Sequence, residues 1–218
     1  MKVNQRNKLD GRYLMTGVSD NSAAIVFFDP QYREVLDKLK YGNEGVSRQS
    51  QRAKLPQMDL EVIKSFVKHI ERILRPSGHC FLWVDKFILG EGIHLDYLVD
   101  ANKLTLVDMI VWDKYYLGQG YRSRRTSEYL LVIQKLPKRA KGVWTDRSIP
   151  DVWTERQVKS KEYPHIKPYG LIKRLIEATS TINNLVVDPA AGSYVVLDVC
   201  MDTNRVFLGC DIGDIINE

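Results

Sequence analysis

The chain has 218 residues, 44% of them apolar, which is enough to bury one substantial core, so we expect a single domain. Its 32 Lys and Arg against 27 Asp and Glu give a net charge of +5, which favours an anionic partner. No run of about 18 apolar residues occurs and Met1–Asp10 is polar, which argues against a membrane protein and predicts a soluble, unsecreted, cytoplasmic one.

The first half of the chain alternates strand-like and helix-like patterns. Ala23–Phe28 is an apolar run that stops at Asp29-Pro30, as a buried strand of a parallel sheet does. Leu60–Leu74 carries apolar residues at spacings of three and four, which predicts an amphipathic helix with Asp59 as its cap. After a Pro-Gly stop, His79–Val84 has the pattern of a second strand.

The second half continues this alternation. Its predicted elements are strands over Leu104–Trp112 and Tyr129–Ile133, a helix over Tyr169–Thr179, a strand over Leu185–Val187, a helix over Tyr194–Met201 and a strand over Val206–Cys210. Leu136–Pro164 is weakly patterned, and we expect a loop or small insertion there. The alternation predicts βαβ units, and therefore an α/β fold with a doubly wound sheet and helices on both faces.

Two predicted strands end in Asp-Pro. One ends at Asp29-Pro30, the first Asp-Pro turn, and the other at Asp188-Pro189, the second Asp-Pro turn. In open α/β sheets, ligands bind outside the carboxyl ends of the strands. We therefore expect both turns to border one crevice.

Small residues follow the second Asp-Pro turn, in the order Ala190-Ala191-Gly192-Ser193, and let a ligand approach the backbone where a helix starts. About twenty residues further on, Asp211 ends the next strand, where a carboxylate can accept hydrogen bonds from ribose hydroxyls. A lone Gly-Ser turn is also a common chain reversal. The second acidic strand end favours a nucleoside site over that alternative.

The first Asp-Pro turn carries groups that suit an amine. Asp29 offers an acceptor, Pro30 leaves a fixed carbonyl and Tyr32 offers an aromatic face. An amine held by two acceptors directs its lone pair towards an electrophile, and a base flipped out of a duplex can stack on the ring. The same four residues, Asp29 to Tyr32, are also an ordinary turn with Pro at its second position.

The sequence gives no sign of a metal site. The three cysteines lie in or beside apolar runs, which predicts buried, reduced thiols. His69, His79 and His94 have no Cys or His at the spacing of metal ligands. We therefore predict that no metal is bound.

These features resemble the beta-class S-adenosylmethionine-dependent amino-methyltransferases of DNA. That family carries the catalytic tetrapeptide Asp-Pro-Pro-Tyr near its amino terminus and its cofactor loop near its carboxyl terminus. The matching segments follow the family's order through nearly the whole chain: Leu9-Asp10, Asp20–Ser22, Asp29–Tyr32, Leu74–Gly78, Ile110–Lys114, Arg124–Tyr129, His165–Pro168, Asp188–Ser193 and Asn204–Asp211. The resemblance implies a Rossmann-like, mostly parallel methyltransferase sheet in one catalytic domain over residues 1–218, with a small basic recognition segment around residues 115–164.

The resemblance also implies the site and the reaction. Asp29, Pro30 and Tyr32 match the catalytic residues. The residues that match the cofactor pocket are Asp10, Asp29, His165, Lys167, Asp188, Pro189, Ala191, Gly192, Ser193 and Asp211. Family members transfer the methyl group directly from a sulfonium to an amine nitrogen, without a metal. Because cytosine-directed relatives more often carry Ser where Asp29 stands, we expect an adenine-specific DNA methyltransferase of the kind found in restriction–modification systems.

Two departures from the family lie next to this chemistry. Gln31 replaces the second Pro of the tetrapeptide, and Tyr194 follows Ser193 where the family continues with Gly. They leave open a catalytically silent DNA-binding homologue or partner subunit, and a cytosine-amine methyltransferase is a further alternative. A dinucleotide oxidoreductase is disfavoured, because no Gly-x-Gly-x-x-Gly follows the first strand.

Basic residues cluster in two stretches that predict contact with nucleic acid. Residues 114–147 hold nine Lys or Arg against two acids, with tyrosines between them, and Gly45–Met58 is a second basic stretch that we expect to close over DNA as a loop. The predicted contacts are Arg48, Arg52, Lys114, Arg122, Arg124, Arg125, Lys138 and Arg139. A solvated basic loop is the alternative. The expected partner is double-stranded DNA with a flipped target base, and a second subunit in a homodimer can complete the recognition.

Overall fold

The computed structural model describes residues 1–31, 58–118, 122–158 and 166–213. The strands in these ranges are β1 (Arg6–Asn7), β2 (Ala23–Phe28), β3 (Leu74–Val84), β4 (Leu104–Asp113), β5 (Ser127–Lys135), β6 (Val152–Thr154), β7 (Leu185–Asp188) and β8 (Val206–Cys210). The helices are α1 (Gly11–Thr16), α2 (Leu60–Ile73), α3 (Lys86–Gly90), α4 (Ile93–Asp96), α5 (Tyr169–Thr179) and α6 (Val195–Asp202).

The strands form one sheet in the order β1-β8-β7-β2-β3-β5-β4-β6. Neighbouring strands are parallel except that β5 runs antiparallel to both β3 and β4. The chain passes from β2 to β3 on one side and from β7 to β8 on the other, so the winding reverses between β2 and β7. The predicted doubly wound, mostly parallel α/β sheet is confirmed.

Helices cover both faces of this sheet. On one face, α1 and α2 bury side chains such as Leu14, Phe66 and Ile70. On the other face, α5 and α6 bury side chains such as Leu175 and Val199. Full burial of an apolar side chain contributes roughly 1.5–3 kcal/mol, so these two layers hold the strand ends in a fixed arrangement.

Most long elements lie where the sequence predicts them. Helix α5 and strand β8 have the predicted bounds, and the Asp59 carboxylate caps α2 by accepting from the Val62 N–H at 2.8 Å. Strand β3 begins at Leu74 instead of His79, because Leu74 already pairs with Ala23. A register shift between Ala23 and Ile25 absorbs the Pro-Gly segment that the sequence suggested was a turn.

The elements that the sequence patterns do not predict are short. They are β1, α1, α3, α4 and β6, which have two to six residues each and cannot display a periodicity. The prediction of buried thiols is confirmed for all three cysteines. Among the described residues, no helix is long and apolar enough to cross a membrane.

Candidate active site

The two Asp-Pro turns lie side by side where the winding of the sheet reverses. Asp29 directly follows β2, Asp188 is the last residue of β7, and these strands are parallel neighbours in the middle of the sheet. The carboxyl ends of strands at such a reversal border the ligand crevice of open α/β proteins. The two turns therefore lie together at the position where such a crevice is expected.

Asp188 is an acid in an environment that disfavours its charge. Its side chain is buried, with 5% of the residue exposed, and one of its oxygens accepts from the Ala190 N–H at 3.3 Å. Burial, together with the nearby carboxylates of Asp29 and Asp211, raises the pKa of Asp188 to about 8. Acids perturbed in this way cluster at functional sites, and a cationic ligand would favour the ionised form.

The turn after Asp188 is open to a ligand. Gly192 has a φ of 48°, which a side chain tolerates poorly, and no atom lies within 4 Å of the position that a β-carbon would take. The Gly192 N–H donates to Asp211 Oδ2 at 2.8 Å, and the Ala191 N–H donates to the carbonyl of Cys210 at 2.9 Å. The turn is therefore fixed to the end of β8, beside an unfilled space.

Tyr194, which stands where the family has Gly, does not project into this space. It adopts a φ of 60°, and its ring is fully buried in the core beside Phe207. Its hydroxyl donates to the carbonyl of Asn7 at 3.1 Å, and the Arg6 guanidinium lies 4.9 Å from the ring centroid. Left-handed backbone costs about 1–2 kcal/mol for such a residue, and these contacts offset that cost.

Asp10 lies at the same edge of the sheet, after β1. Its carboxylate caps α1 by accepting from the Arg12 N–H at 2.7 Å and pairs with the Arg12 guanidinium at 2.8 Å. Hydrogen bonding to Arg12 lowers the pKa of Asp10. A β-carbon on Gly11 would lie 2.1 Å from the carbonyl oxygen of Pro189, so this close approach places Asp10 beside the second Asp-Pro turn.

Asp29 belongs to a chain of ion pairs. Lys167 Nζ lies 3.0 Å from Asp29 Oδ2 and 2.8 Å from Glu128 Oε2, and Glu128 Oε1 lies 3.2 Å from Lys114 Nζ. Lys167 Nζ also lies 4.7 Å from the centre of the Trp83 ring. We call Asp29, Lys167, Glu128 and Lys114 the charge cluster.

Both central members of the charge cluster are held in their charged forms. Burial alone would raise the pKa of Glu128, but Lys167 and Lys114 outweigh it and lower that pKa to about 2. Burial alone would lower the pKa of Lys167, but Asp29 and Glu128 outweigh it and raise that pKa. The two neighbours therefore favour the carboxylate form of Glu128 and the ammonium form of Lys167.

Glu155 fixes the segment that carries Lys167. Its carboxylate accepts from the backbone N–H groups of Gly170 and Leu171, at 3.0 and 3.1 Å, in the first turn of α5. Its backbone carbonyl accepts from the Trp112 indole at 2.8 Å. Helix α5 and the end of β4 are thereby joined, which holds Lys167 next to the sheet.

A cavity of about 330 Å³ lies between the start of α5 and the turn before α6. Its lining includes Arg6, Glu155, Lys167, Ser193 and Asp198. Both the predicted cofactor residues Lys167 and Ser193 border it. The cavity therefore places a polar, mixed-charge space between them.

The rest of the first Asp-Pro turn is only partly described. Pro30 is buried, and Gln31 is exposed, with its carbonyl accepting from the Met58 N–H at 2.8 Å. Tyr32, Arg48 and Arg52 lie outside the described residues, as do His165 and all of the predicted loop Gly45–Met58 except Met58.

The basic stretch 114–147 is divided between two edges of the sheet. Arg122, Arg124 and Arg125 precede β5, at the edge of the sheet where β3 ends, and the Arg125 guanidinium is 5.1 Å from the Phe87 ring centroid. Lys114 belongs to the charge cluster. Its side chain is largely buried, and its ammonium contacts the Glu128 carboxylate.

Lys138 and Arg139 lie elsewhere. They follow the end of β5, and β5 is antiparallel to β3, with Gln134 near the end of β5 paired to His79 in the first half of β3. They are therefore at the opposite edge of the sheet from Asp29. The antiparallel strand thus separates these two residues from Arg122, Arg124 and Arg125 by about its full length, and their contact with DNA stays a prediction.

Sequence reasoning assigned no role to Glu128, Glu155 or Trp83. Glu128 had a usable signal, because it is one of two acids among nine basic residues and directly precedes an apolar strand. Glu155 and Trp83 had none, because their roles depend on contacts between segments far apart in the chain.

Comparisons with known proteins identify a family for the chain as a whole. A family model described as DNA methylase matches residues 23–217. The type II methyltransferase M.HhaII of Haemophilus parahaemolyticus is 51% identical over 218 residues, which span 99% of this chain and 95% of that protein.

Two solved structures share the fold. The PvuII DNA methyltransferase (cytosine-N4-specific) is 17% identical, with a TM-score of 0.70 over 95% of this chain and 81% of that one. The M1.HpyAVI–S-adenosylmethionine complex is 18% identical, with a TM-score of 0.65 over 98% of this chain and 94% of that one.

Proposed function

This chain belongs to the DNA methylase family, and from that premise we propose that it methylates the exocyclic amine of adenine in DNA. Methyl transfer to DNA, with S-adenosylmethionine as the cofactor, is common to the family. The choice of adenine is the proposed part. It rests on one observation, the placement of a carboxylate, Asp29, at the end of the central strand β2, where it borders the crevice and is held by Lys167.

The residues around the crevice fit a sulfonium nucleoside. Asp29 and Asp211 supply negative charge beside Asp188, whose ionised form a cationic ligand would favour, and the open space at Gly192 admits a ligand close to the backbone. We assign cofactor binding to Asp10, Asp29, Lys167, Asp188, Pro189, Ala191, Gly192, Ser193 and Asp211, with His165 as a further candidate. When bound, the cofactor would supply an electrophilic methyl group that passes from sulfur to the amine nitrogen, and the methylated amine would release one proton to water.

In this proposal the protein orients the amine and stabilises its developing charge. The Asp29 carboxylate accepts one N–H of the amine, and the Pro30 carbonyl accepts the other. As nitrogen bonds to the methyl carbon it becomes positive, and Asp29 stabilises that charge. Asp29 acts as an orienting acceptor and not as a strong base, because the electrophile is already activated. Tyr32 is the proposed stacking partner of the flipped base.

We assign the DNA backbone to the arginines at the edge of the crevice. Arg122, Arg124 and Arg125 lie there, and Arg48 and Arg52 directly follow the catalytic turn in the sequence. Positively charged side chains of this kind bind DNA phosphates without reading the base sequence. We also propose that the protein acts in a restriction–modification system, as the name of its type II relative suggests, and that a second subunit completes sequence recognition.

Radiolabelled methyl transfer to unmethylated genomic DNA, followed by nucleoside analysis, tests this proposal. We expect the label in N6-methyladenine, and none when Asp29→Ala replaces the wild type. Label in N4-methylcytosine alone would overturn the assignment to adenine and leave the DNA methyltransferase intact. Label in neither nucleoside, with DNA still bound, would favour a catalytically silent homologue.

A further inference from the structure

We propose that Glu128 is a positioning residue that fixes the ammonium of Lys167 and, through it, the carboxylate of Asp29. The inference rests on the proposed function only in taking Asp29 as the acceptor of the target amine. It holds equally for adenine and for cytosine.

The contacts of Lys167 specify the direction of its ammonium. Glu128 Oε2 lies at 2.8 Å, Asp29 Oδ2 at 3.0 Å, and the centre of the Trp83 ring at 4.7 Å. An ammonium has three N–H donors, and each of these three neighbours can receive one. Lys167 is thereby oriented, and its shorter contact is to Glu128, not to Asp29.

Glu128 is itself anchored from the other side. Its Oε1 lies 3.2 Å from Lys114 Nζ, so the carboxylate bridges two ammonium groups. Its side chain is 22% exposed, and those of Lys167 and Lys114 are 14% and 12% exposed. Strand β5 holds Glu128 in place, because it begins one residue earlier and pairs with both β3 and β4.

A purely structural role does not explain four charges. Asp29 and Lys167 already form a neutral pair, and Glu128 adds a largely desolvated charge that Lys114 balances. Burying ions costs several kcal/mol each, and apolar side chains often serve stability as well as a buried ion pair does. We therefore infer that the pair of Glu128 and Lys114 has a function beyond stability.

That function is to share the charge of Lys167. An ammonium bonded to Asp29 alone would compete with the target amine for that carboxylate. Glu128 draws the ammonium towards itself. Lys167 can then hold the orientation of the Asp29 carboxylate without taking up its whole capacity as an acceptor. Misplacement of a catalytic group by about 1 Å can lower the rate roughly a hundred-fold.

The test compares three substitutions in the full-length protein. Glu128→Gln keeps the shape and removes the charge, Glu128→Asp keeps the charge and shortens the reach, and Lys114→Met removes the outer counter-ion. Glu177→Gln, an exposed glutamate on α5, is the matched control. For each variant we would measure kcat and KM for total radiolabelled methyl transfer to DNA, the Kd for S-adenosylmethionine by calorimetry, and the melting temperature.

We expect Glu128→Gln to lower kcat roughly ten- to a hundred-fold, while both KM values and the cofactor Kd change by less than about threefold. Glu128→Asp should recover part of that loss. Lys114→Met should lower the melting temperature and reduce kcat less than Glu128→Gln does, because Glu128 still holds Lys167. A role in stability alone would lower the melting temperatures and leave kcat per folded molecule unchanged.

Wild-type kcat in Glu128→Gln, measured well below its melting temperature, would overturn the proposal, and so would equal losses of kcat in Glu128→Gln and Lys114→Met. If Glu128→Gln does not fold, wild-type kcat in Glu128→Asp overturns the proposal and a several-fold loss supports it. The wild-type methylated nucleoside tests the assignment to adenine, whereas the ratio of variant to wild-type kcat tests Glu128, so the two failures are distinguishable.

Discussion

Strand β5 has buried polar groups at both of its ends, and the two ends differ in charge. Near its start, Glu128 joins Lys167 and Asp29 in the charge cluster beside the crevice. Near its end, the neutral Gln134 donates to the carbonyls of Ser77 and Arg139, at 3.1 and 2.7 Å, and accepts from the Arg139 N–H at 2.8 Å. We call this second end the neutral end because its side chains, the Lys135 ammonium included, bond to uncharged groups.

The neutral end is arranged as a structural site would be. Buried amides bonded to backbone groups stabilise a fold at low electrostatic cost. The cation at that end, Lys135, donates to neutral acceptors, the Asn21 amide at 2.8 Å and the Leu74 carbonyl at 2.7 Å. Burial lowers the pKa of His79 to about 4, so its ring is neutral as well.

The charged end requires another explanation. Buried ions cost free energy that an apolar cluster would not, and groups with perturbed pKa values gather where chemistry occurs. We infer that the carboxyl edge of the sheet carries the reaction and that the opposite edge carries stability. Four experiments, from the largest expected effect to the smallest, can break or sharpen this contrast.

The largest effect is expected for Asp29→Asn. The substitution keeps the shape but removes the charge that stabilises a positive nitrogen, so the single-turnover rate of methyl transfer should fall roughly a hundred- to a thousand-fold. Cofactor binding, measured by calorimetry, should persist. Asp100→Asn, at an exposed position, serves as the control. If Asp29→Asn retained the wild-type rate, methyl transfer would not depend on the carboxylate at this edge of the sheet.

Gln134→Leu should affect stability and not the reaction. It leaves the carbonyls of Ser77 and Arg139 and the Arg139 N–H without their partner, which should cost about 2–4 kcal/mol in the free energy of unfolding. Urea denaturation measures that loss. Below the denaturation range, kcat should equal that of the wild type. A parallel fall in kcat would show that the two edges are coupled.

The two edges should respond to pH in opposite directions. His79 has its pKa lowered from 6.5 to about 4, so the fold favours the neutral ring and stability falls as pH drops from 6.5 towards 4, by up to about 3 kcal/mol. Asp188 has its pKa raised from 3.8 to about 8, so the fold favours the protonated acid and stability falls as pH rises through that range.

Melting temperatures of the cofactor-free protein between pH 4 and pH 8 measure both effects. His79→Asn should reduce the fall in melting temperature towards pH 4, and Asp188→Asn should reduce the fall in melting temperature towards pH 8. Unchanged pH profiles in both variants would mean that neither group titrates differently in the folded and unfolded chains.

The smallest effect is expected in DNA binding, where two pairs of basic residues are compared. Arg122→Gln with Arg124→Gln should weaken DNA binding about ten-fold and reduce the slope of log affinity against log salt by about 2, because two phosphate contacts are lost. Lys138→Gln with Arg139→Gln, at the opposite edge, should leave affinity and slope nearly unchanged. Fluorescence anisotropy over a salt series measures the DNA affinity of both double variants. Equal losses of affinity in the two would contradict the division of the basic stretch.

Much of the fold could be predicted from the sequence, because its long elements carry clear periodicities. Helix α2 shows apolar spacings of three and four, and β2 is an apolar run that stops at Asp29-Pro30. The crevice could be predicted too, because the ends of parallel strands share one edge and Asp188 marks another such end. Short elements such as β1 and β6 could not, since two or three residues display no pattern.

The charge cluster and the division of the basic stretch depend on strand direction, which local sequence does not encode. A parallel β5 would have reversed the edges at which Glu128 and Arg139 lie. The structure makes β5 antiparallel, and this places Glu128 against Lys167, a residue 39 positions away in the chain. Tyr194 illustrates the same limit, because its ring occupies the core and not the pocket that its sequence position borders.

The most direct test of the central claim is a crystal structure of the protein with S-adenosylhomocysteine and a duplex that contains its methylation site. The account predicts a flipped adenine whose amine lies within about 3.2 Å of an Asp29 carboxylate oxygen and of the Pro30 carbonyl, with Lys167 still bonded to Glu128. A target base bound away from β2, or an amine with no contact to Asp29, would contradict it.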